Sequence, residues 1–220
     1  TLERTHLGVN TLTATSQAIA KLGAMESELP LFKYLRVLHD YSSHSDEKLN
    51  SQYIMPHPVV TVYRSSQHDS SKHLPVQEIL VFPKGGFSYV RDLVNMFNTL
   101  NDLNLNEGKH SLKTFLEDIK SQLSASQFKL KMGLDMAASR YKRNDLDRYT
   151  IPSFSGNGAL SGDYKKVLRA YLELVKEFDL GFLEDMFEED DYAAWKNLMD
   201  HCESIDKSIH VVRPSIYLSG

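Results

Sequence analysis

The sequence has a single cysteine, Cys202, and no hydrophobic run long enough for a membrane span. One cysteine excludes an internal disulfide framework and is typical of a reducing compartment, which favours a cytoplasmic location. A spanning helix needs about 20 predominantly apolar residues, so no membrane partner is expected. With 25 basic and 29 acidic side chains the net charge is -4, so no nucleic-acid partner is expected either. The nine histidines show no metal-ligand spacing.

A polar stretch over residues 41–52 divides the chain. Before it, apolar residues at helical spacing predict a helix over 9–26 and a second helix that begins at Pro30. We therefore assign residues 1–52 to one domain with its linker and residues 53–220 to another. In the second domain, β-branched runs alternate with amphipathic helices, which predicts parallel βαβ units in a barrel or doubly wound sheet. The fold class is α/β.

One long segment of the second domain shows no strand pattern. The run YKRNDLDRYTIPSFSGNGALSG is rich in Gly, Ser and Asn and predicts a loop. The helix after it, over about 163–178, is expected to be capped by Ser161 or Asp163. The chain starts at Thr1 without a methionine and stops on Gly220 after a strand-like run. We therefore expect it to be part of a longer protein.

Acidic residues stand where two predicted strands end. Asp135 closes KLKMGLD, and Glu184 with Asp185 closes GFLED. In a βα barrel the carboxyl ends of the strands face the active site, and carboxylate oxygens suit Mg²⁺. Acidic residues after strands are also common helix caps, so both interpretations stay open.

Glu78 lies within the apolar run VQEILVF. A carboxylate is costly to bury unless it is paired, which favours a functional role. An edge strand that turns Glu78 to solvent is the alternative, and the pattern alone does not decide between them.

Four segments resemble enolases, in the same order and with approximately the same spacing. HLGVNTLTATSQAIAKLGAMESELPLFKYL is similar to the Ala-rich helix and following helix of the N-terminal domain. PVVTVYRSSQHDSSKHLPVQEILVFPKG is similar to the first barrel strand, the Gly-Gly-Ser-His loop and the Gln-Glu strand. KMGLDMAASRYKR resembles Gly-Met-Asp-Val-Ala-Ala-Ser-Glu, and FLEDMFEEDDYAAW resembles Ile-Glu-Asp-Pro-Phe-Asp-Glu-Asp-Asp-Trp-Glu-Ala-Trp. The resemblance implies a partial, TIM-like enolase barrel, preceded by the last helices of the N-terminal domain.

The resemblance also implies a chemistry. Enolases interconvert 2-phosphoglycerate and phosphoenolpyruvate in glycolysis, use Mg²⁺ and typically form homodimers. Asp135 and Glu184 match two of the three metal-binding carboxylates. Glu78 matches a catalytic and substrate-contacting glutamate, and Gln77 matches its substrate-binding neighbour. His68 matches the histidine of the flexible loop, with a catalytic and substrate-binding role. Asp135 and Glu184 are accordingly expected on neighbouring parallel strands, at their C-terminal ends.

Several positions depart from the family pattern. RSSQHDSSKH has lost both loop glycines, and the shortened LNLNEGKHS leaves Glu107 as the candidate for the second catalytic glutamate. Arg213 and Pro214 replace the third metal carboxylate and its neighbour, and an arginine beside a divalent cation weakens its binding. The catalytic lysine of the family lies beyond this sequence. The departures favour a weak or inactive enolase-like protein. A fully active phosphopyruvate hydratase, and a structural pseudoenzyme in a cytoskeletal or flagellar assembly, are the alternatives.

Overall fold

The computed structural model describes residues 8–42, 53, 56–65, 74–85, 90–103, 105, 111–143, 146–155 and 158–213. The chain forms two compact units, Thr1–Pro56 and His57–Gly220. The domain boundary taken from the sequence stays a prediction.

The first unit contains two helices, α1 (Val9–Glu26) and α2 (Leu31–Ser42). They pack closely because Gly23 has no side chain: a β-carbon there would overlap the Tyr34 ring. The Pro30 carbonyl accepts hydrogen bonds from the Lys33 and Tyr34 amides. The first residue of α2 is therefore Leu31, directly after the proline. Both predicted helices are confirmed.

The second unit is built on a five-stranded sheet of order β1-β2-β3-β7-β8. The strands β3, β7 and β8 are parallel, whereas β2 runs antiparallel to both β1 and β3. The expectation of parallel units throughout is therefore wrong for β2. The described residues between β1 and β2 form no helix, whereas a connection between parallel strands usually contains one. The strands of this sheet are β1 (Val60–Arg64), β2 (Glu78–Pro83), β3 (Leu130–Asp135), β7 (Phe182–Glu184) and β8 (His210–Val212).

Four helices accompany the sheet, and one face of the sheet supplies the core. Ile79, Val81 and Leu134 are fully buried and belong to one apolar cluster with residues of α4, α5 and α6. On α5, the Asp163 side chain accepts from the Lys166 amide at 2.9 Å, which confirms one of the two predicted caps. The helices are α3 (Val90–Asn101), α4 (Leu112–Ser124), α5 (Tyr164–Phe178) and α6 (Tyr192–Ile205).

The predicted loop over residues 141–162 is wrong in part. A short 3-10 helix (Ala138–Tyr141) leads into a three-stranded antiparallel sheet. The middle strand buries Tyr149 and Ile151, two residues apart, and so anchors one face of this small sheet on the core. Its strands are β4 (Lys142–Arg143), β5 (Arg148–Ser155) and β6 (Gly158–Gly162).

A buried lysine holds together the end of the large sheet at which β3 begins. Lys131 is only 6% exposed and pairs with Asp206 at 3.2 Å and with Asp179 at 3.4 Å. Asp179 follows α5 and Asp206 follows α6, so one side chain of β3 binds the turns that lead into β7 and β8. Hydrogen bonds from Ser208, then the Lys131 ammonium, lower the pKa of Asp206 to about 2.

The close approach of β3 and β7 depends on Gly133. A β-carbon there would lie 2.7 Å from Cβ of Phe182 and 2.9 Å from its carbonyl oxygen, too near for real atoms. We expect Gly133→Ala to lower the free energy of unfolding by about 1–3 kcal/mol, since added volume in a packed site forces backbone shifts. The measurement is urea unfolding of the full-length protein. In the control Gly158→Ala the nearest atom lies 3.6 Å away, so little change is expected, and equal effects would contradict the argument.

Asp206 gives a pH-dependent prediction. A carboxyl with a lowered pKa in the folded state stabilises the fold above its unfolded value, and this contribution disappears as pH falls through the folded pKa. Asp206→Asn should therefore reduce the melting temperature at pH 7, and the difference from wild type should fade between about pH 4 and about pH 2. Asp200→Asn, which breaks an exposed pair on α6, is the control. A difference that persists at pH 2 would show that the charge of Asp206 is not responsible.

Candidate active site

Three carboxylates lie in one row across the large sheet. In the strand register Glu78 faces Asp135, Asp135 faces Glu184, and Glu184 faces Val212. Facing residues on neighbouring strands project from the same side of a sheet, so these three acids share one face. We call Glu78, Asp135 and Glu184 the carboxylate row. It lies opposite the helix-packed core, because the residue after Glu78 and the residue before Asp135 are both fully buried.

Asp135 and Glu184 occupy the positions expected from the sequence. They are the last residues of the neighbouring parallel strands β3 and β7, and the carboxyl ends of such strands carry the active sites of barrel enzymes. The two-strand placement is confirmed, and their role as metal ligands stays a prediction.

Burial and neighbouring acids raise the pKa of three carboxyl groups at this end of the sheet. Burial, then the charge of Glu78, raises the pKa of Asp135, although the Ala137 amide donates to its carboxylate at 3.0 Å. Burial, then the charges of Asp135 and Glu78, raises the pKa of Glu184. Burial, then Asp135, raises the pKa of Asp185 to about 6. Carboxyl groups with raised pKa values that lie together at the ends of strands are typical of functional sites.

Glu78 already has a counter-charge. Its carboxylate pairs with the Arg64 guanidinium at 2.7 Å and accepts a hydrogen bond from the Thr61 hydroxyl at 2.8 Å. Its strand lies between β1 and β3, and its side chain is 17% exposed. Of the two interpretations left open by the sequence, the solvent-facing edge strand is therefore excluded. Glu78 is a paired, mostly buried carboxylate.

The fourth position beside the carboxylate row is apolar. Val212 ends β8 and faces Glu184. Arg213, which the sequence comparison put in place of the third metal carboxylate, turns its guanidinium onto the Tyr192 ring, 5.0 Å from the ring centre. Its Nε is buried and has no hydrogen-bond partner in the described part of the chain. Val212 thus occupies the position next to Glu184 in the sheet, and the replacement of the third metal carboxylate by Arg213 and Pro214 stays a prediction.

Of the remaining candidate site residues, only Gln77 is among the residues that the structure describes. Gln77 precedes β2; its amide donates to the Asp135 carbonyl at 2.8 Å, and its carbonyl accepts from the Ser65 amide at 2.9 Å. It therefore lies at the same end of the sheet as the carboxylate row. His68, Glu107 and Pro214 lie outside the described residues. Over the ranges that are described, no group of three His, Cys, Asp or Glu side chains is arranged to hold a metal ion.

Arg140 is the electrostatic partner that the sequence reasoning missed. It lies in the 3-10 helix after β3, and its positive charge lowers the pKa of both Asp135 and Asp185, against the stronger effect of burial. The signal was present in the sequence, because KMGLDMAASR has an arginine where the quoted family motif ends in glutamate. An arginine at that position, in place of a glutamate, makes the charge next to Asp135 more positive.

The turn that follows Glu184 is held firmly on both sides. Asp185 adopts a left-handed backbone with φ of 49°, its amide donates to the Val212 carbonyl at 3.1 Å, and its carbonyl accepts from the Ala138 amide at 2.9 Å. Further along, the Tyr149 hydroxyl accepts from the Glu188 amide at 3.0 Å and donates to Asp191 at 2.9 Å. The small sheet thus fixes the segment that positions the end of β7.

Comparison with known proteins agrees with this geometry. The family model described as "Enolase, C-terminal TIM barrel domain" matches residues 101–217, which include β3, β7 and β8. The chain is 25% identical over 234 residues to the enolase of Elusimicrobium minutum (strain Pei191), covering 97% of this chain and 50% of that protein. The chain therefore spans about half the length of that relative.

No helix among the described residues has both the length and the apolar character needed to cross a membrane. The partial barrel, with its acids at the ends of β3 and β7, has the architecture that the matched domain describes. On the strength of that match over more than half of its residues, the chain belongs to the enolase family.

Proposed function

We propose that this chain is part of an enolase-like protein with a weakened Mg²⁺ site and little or no 2-phosphoglycerate dehydration activity. The observation that carries the proposal is the valine beside Glu184. Within the carboxylate row, Asp135 and Glu184 remain to hold a cation, because Glu78 is engaged by Arg64. Cytoplasmic location and homodimer formation are proposed from family membership alone.

The residues present fit a magnesium ion incompletely. Mg²⁺ demands near-ideal octahedral geometry and gives up its waters reluctantly, so it needs well-placed carboxylates. Two acids in register supply part of such a set, and Val212 supplies no oxygen.

The electrostatics of dehydration make this loss serious. Abstraction of a proton next to a carboxylate creates a second negative charge, and divalent metal ions stabilise such intermediates. Changes to groups that merely support a metal ligand commonly lower affinity or activity 10–100-fold. We therefore infer a large loss of Mg²⁺ affinity and of activity where a direct ligand is replaced. The retained register of Glu78, Asp135 and Glu184 supports the alternative of an active hydratase.

Activity can be measured directly. Phosphoenolpyruvate formation from 2-phosphoglycerate is followed by absorbance with the full-length protein at millimolar Mg²⁺. We expect kcat/KM at least about 100-fold below that of an ordinary enolase assayed alongside, since a direct ligand is missing. Turnover within about tenfold of that enolase would establish the active alternative.

Restoring an oxygen ligand beside Glu184 tests the cause. Val212→Asp should tighten Mg²⁺ binding by about tenfold or more, because it adds a carboxylate to the face that carries Asp135 and Glu184. Calorimetric titration of the full-length protein with Mg²⁺ gives the affinity. The matched control Val212→Asn has nearly the same shape without the charge and should gain much less. Equal affinities of the two variants and wild type would place the missing ligand elsewhere.

A further inference from the structure

A concave site lies at the opposite end of the large sheet from the carboxylate row. It is a cleft of about 580 Å³ bounded by the end of β2, the start of β3 and the C-terminal ends of α4 and α5. Leu130 lines it and lies five residues before Asp135 on β3, so the two are roughly 16 Å apart at about 3.3 Å per residue. The cleft therefore has its own walls and shares no residue with the carboxylate row.

The inner wall of the cleft is apolar. Leu123, Met132 and Phe178 line it, and each is at least nine-tenths buried in the fold. These side chains belong to the core of the second unit, so they give the cleft a rigid floor. A rigid apolar floor suits a flat hydrocarbon or aromatic body.

The rim of the cleft is basic. Lys84, Lys120 and Lys129 line it together with one acid, Asp179. Asp179 is already paired, with Lys84 and with the buried Lys131, both at 3.4 Å. The whole chain has a net charge of -4, so a rim with three lysines and one aspartate is a local feature.

The lysines at the rim differ in the contacts that their ammonium groups make with the rest of the protein. The Lys120 ammonium donates to the Glu177 carbonyl at 2.6 Å and lies 5.6 Å from the centre of the Phe178 ring. Lys129 is exposed and has no ion pair within the described part of the chain. Its ammonium group is therefore available to a ligand, and Lys120 supplies a second charge above the apolar floor.

We propose that this cleft binds a small amphipathic organic anion, with its acidic group at Lys129 and Lys120 and its apolar body on the floor. The volume lies within the range of about 300–1,000 Å³ that is typical of small-molecule sites, which favours a compact ligand over a peptide. The lysines supply charge-assisted hydrogen bonds to a carboxylate, sulfonate or phosphate. This site is independent of the proposed metal chemistry.

The test uses the fluorescent probe 8-anilinonaphthalene-1-sulfonate and its uncharged parent, N-phenyl-1-naphthylamine, with the folded full-length protein at neutral pH. We expect saturable binding of one sulfonate per chain, at least tenfold tighter than binding of the parent. Lys129→Glu should weaken sulfonate binding at least tenfold by replacing attraction with repulsion. Lys120→Met keeps an apolar side chain over the Phe178 ring but removes the charge, so it should weaken sulfonate binding severalfold. Thermal unfolding checks the fold of each variant.

Lys196→Glu is the matched control, since it makes the same charge change at an exposed position on α6 outside the cleft. Its affinity should stay within about twofold of wild type. The proposal is overturned if the sulfonate shows no saturable binding, if the uncharged parent binds equally well, or if Lys129→Glu binds like Lys196→Glu. Asp135→Asn should leave probe affinity unchanged, which separates this site from the carboxylate row.

Discussion

The register of β2, β3 and β7 is the constraint on which the rest of the site depends. It puts Glu78, Asp135 and Glu184 side by side on one face, where like charges repel. Gly133 permits this register, because any side chain there would collide with Phe182 on the adjoining strand. The close spacing of these acids therefore depends on Gly133, two residues before Asp135 on β3. It also depends on positive charge near the acids.

In this chain that positive charge comes partly from arginines. Arg64 pairs directly with Glu78, and Arg140 acts on Asp135 and Asp185 through its field. A protein that relied on metal ions alone would leave these acids strongly repelled whenever the ions were absent. Two guanidinium groups near the acids reduce that dependence, and the position next to Glu184 on β8 is the apolar Val212.

Much of the fold could be predicted from the sequence because its periodicity is strong. Helices such as α5 and strands such as β3 follow from the spacing of apolar residues, and the positions of Asp135 and Glu184 follow from where their strands end. The direction of β2 could not be read in this way, since periodicity carries no information on strand direction. The small sheet was hidden by its turn-forming composition, and only the packing of Tyr149 and Ile151 reveals it.

The site was harder to predict because it depends on contacts between distant segments. Which of Val212 and Arg213 stands beside Glu184 is decided by the register of β8, and a shift of one residue reverses the answer. The attraction of Arg213 to the Tyr192 ring is likewise a tertiary effect. Sequence resemblance predicted which strand ends carry the site. The hydrogen-bond register of the strands shows which side chains lie next to one another there.

Lys131 has a consequence for the order in which the molecule assembles. Its pair with Asp206 joins positions 75 residues apart, and its pair with Asp179 requires α5 to be in place as well. Contacts of such long range form only after the chain has closed large loops, so they belong to the late stages of folding. Interactions absent from the folding transition state act on the rate of unfolding. We therefore infer that the pairs of Lys131 slow the unfolding of the second unit more than they speed its folding.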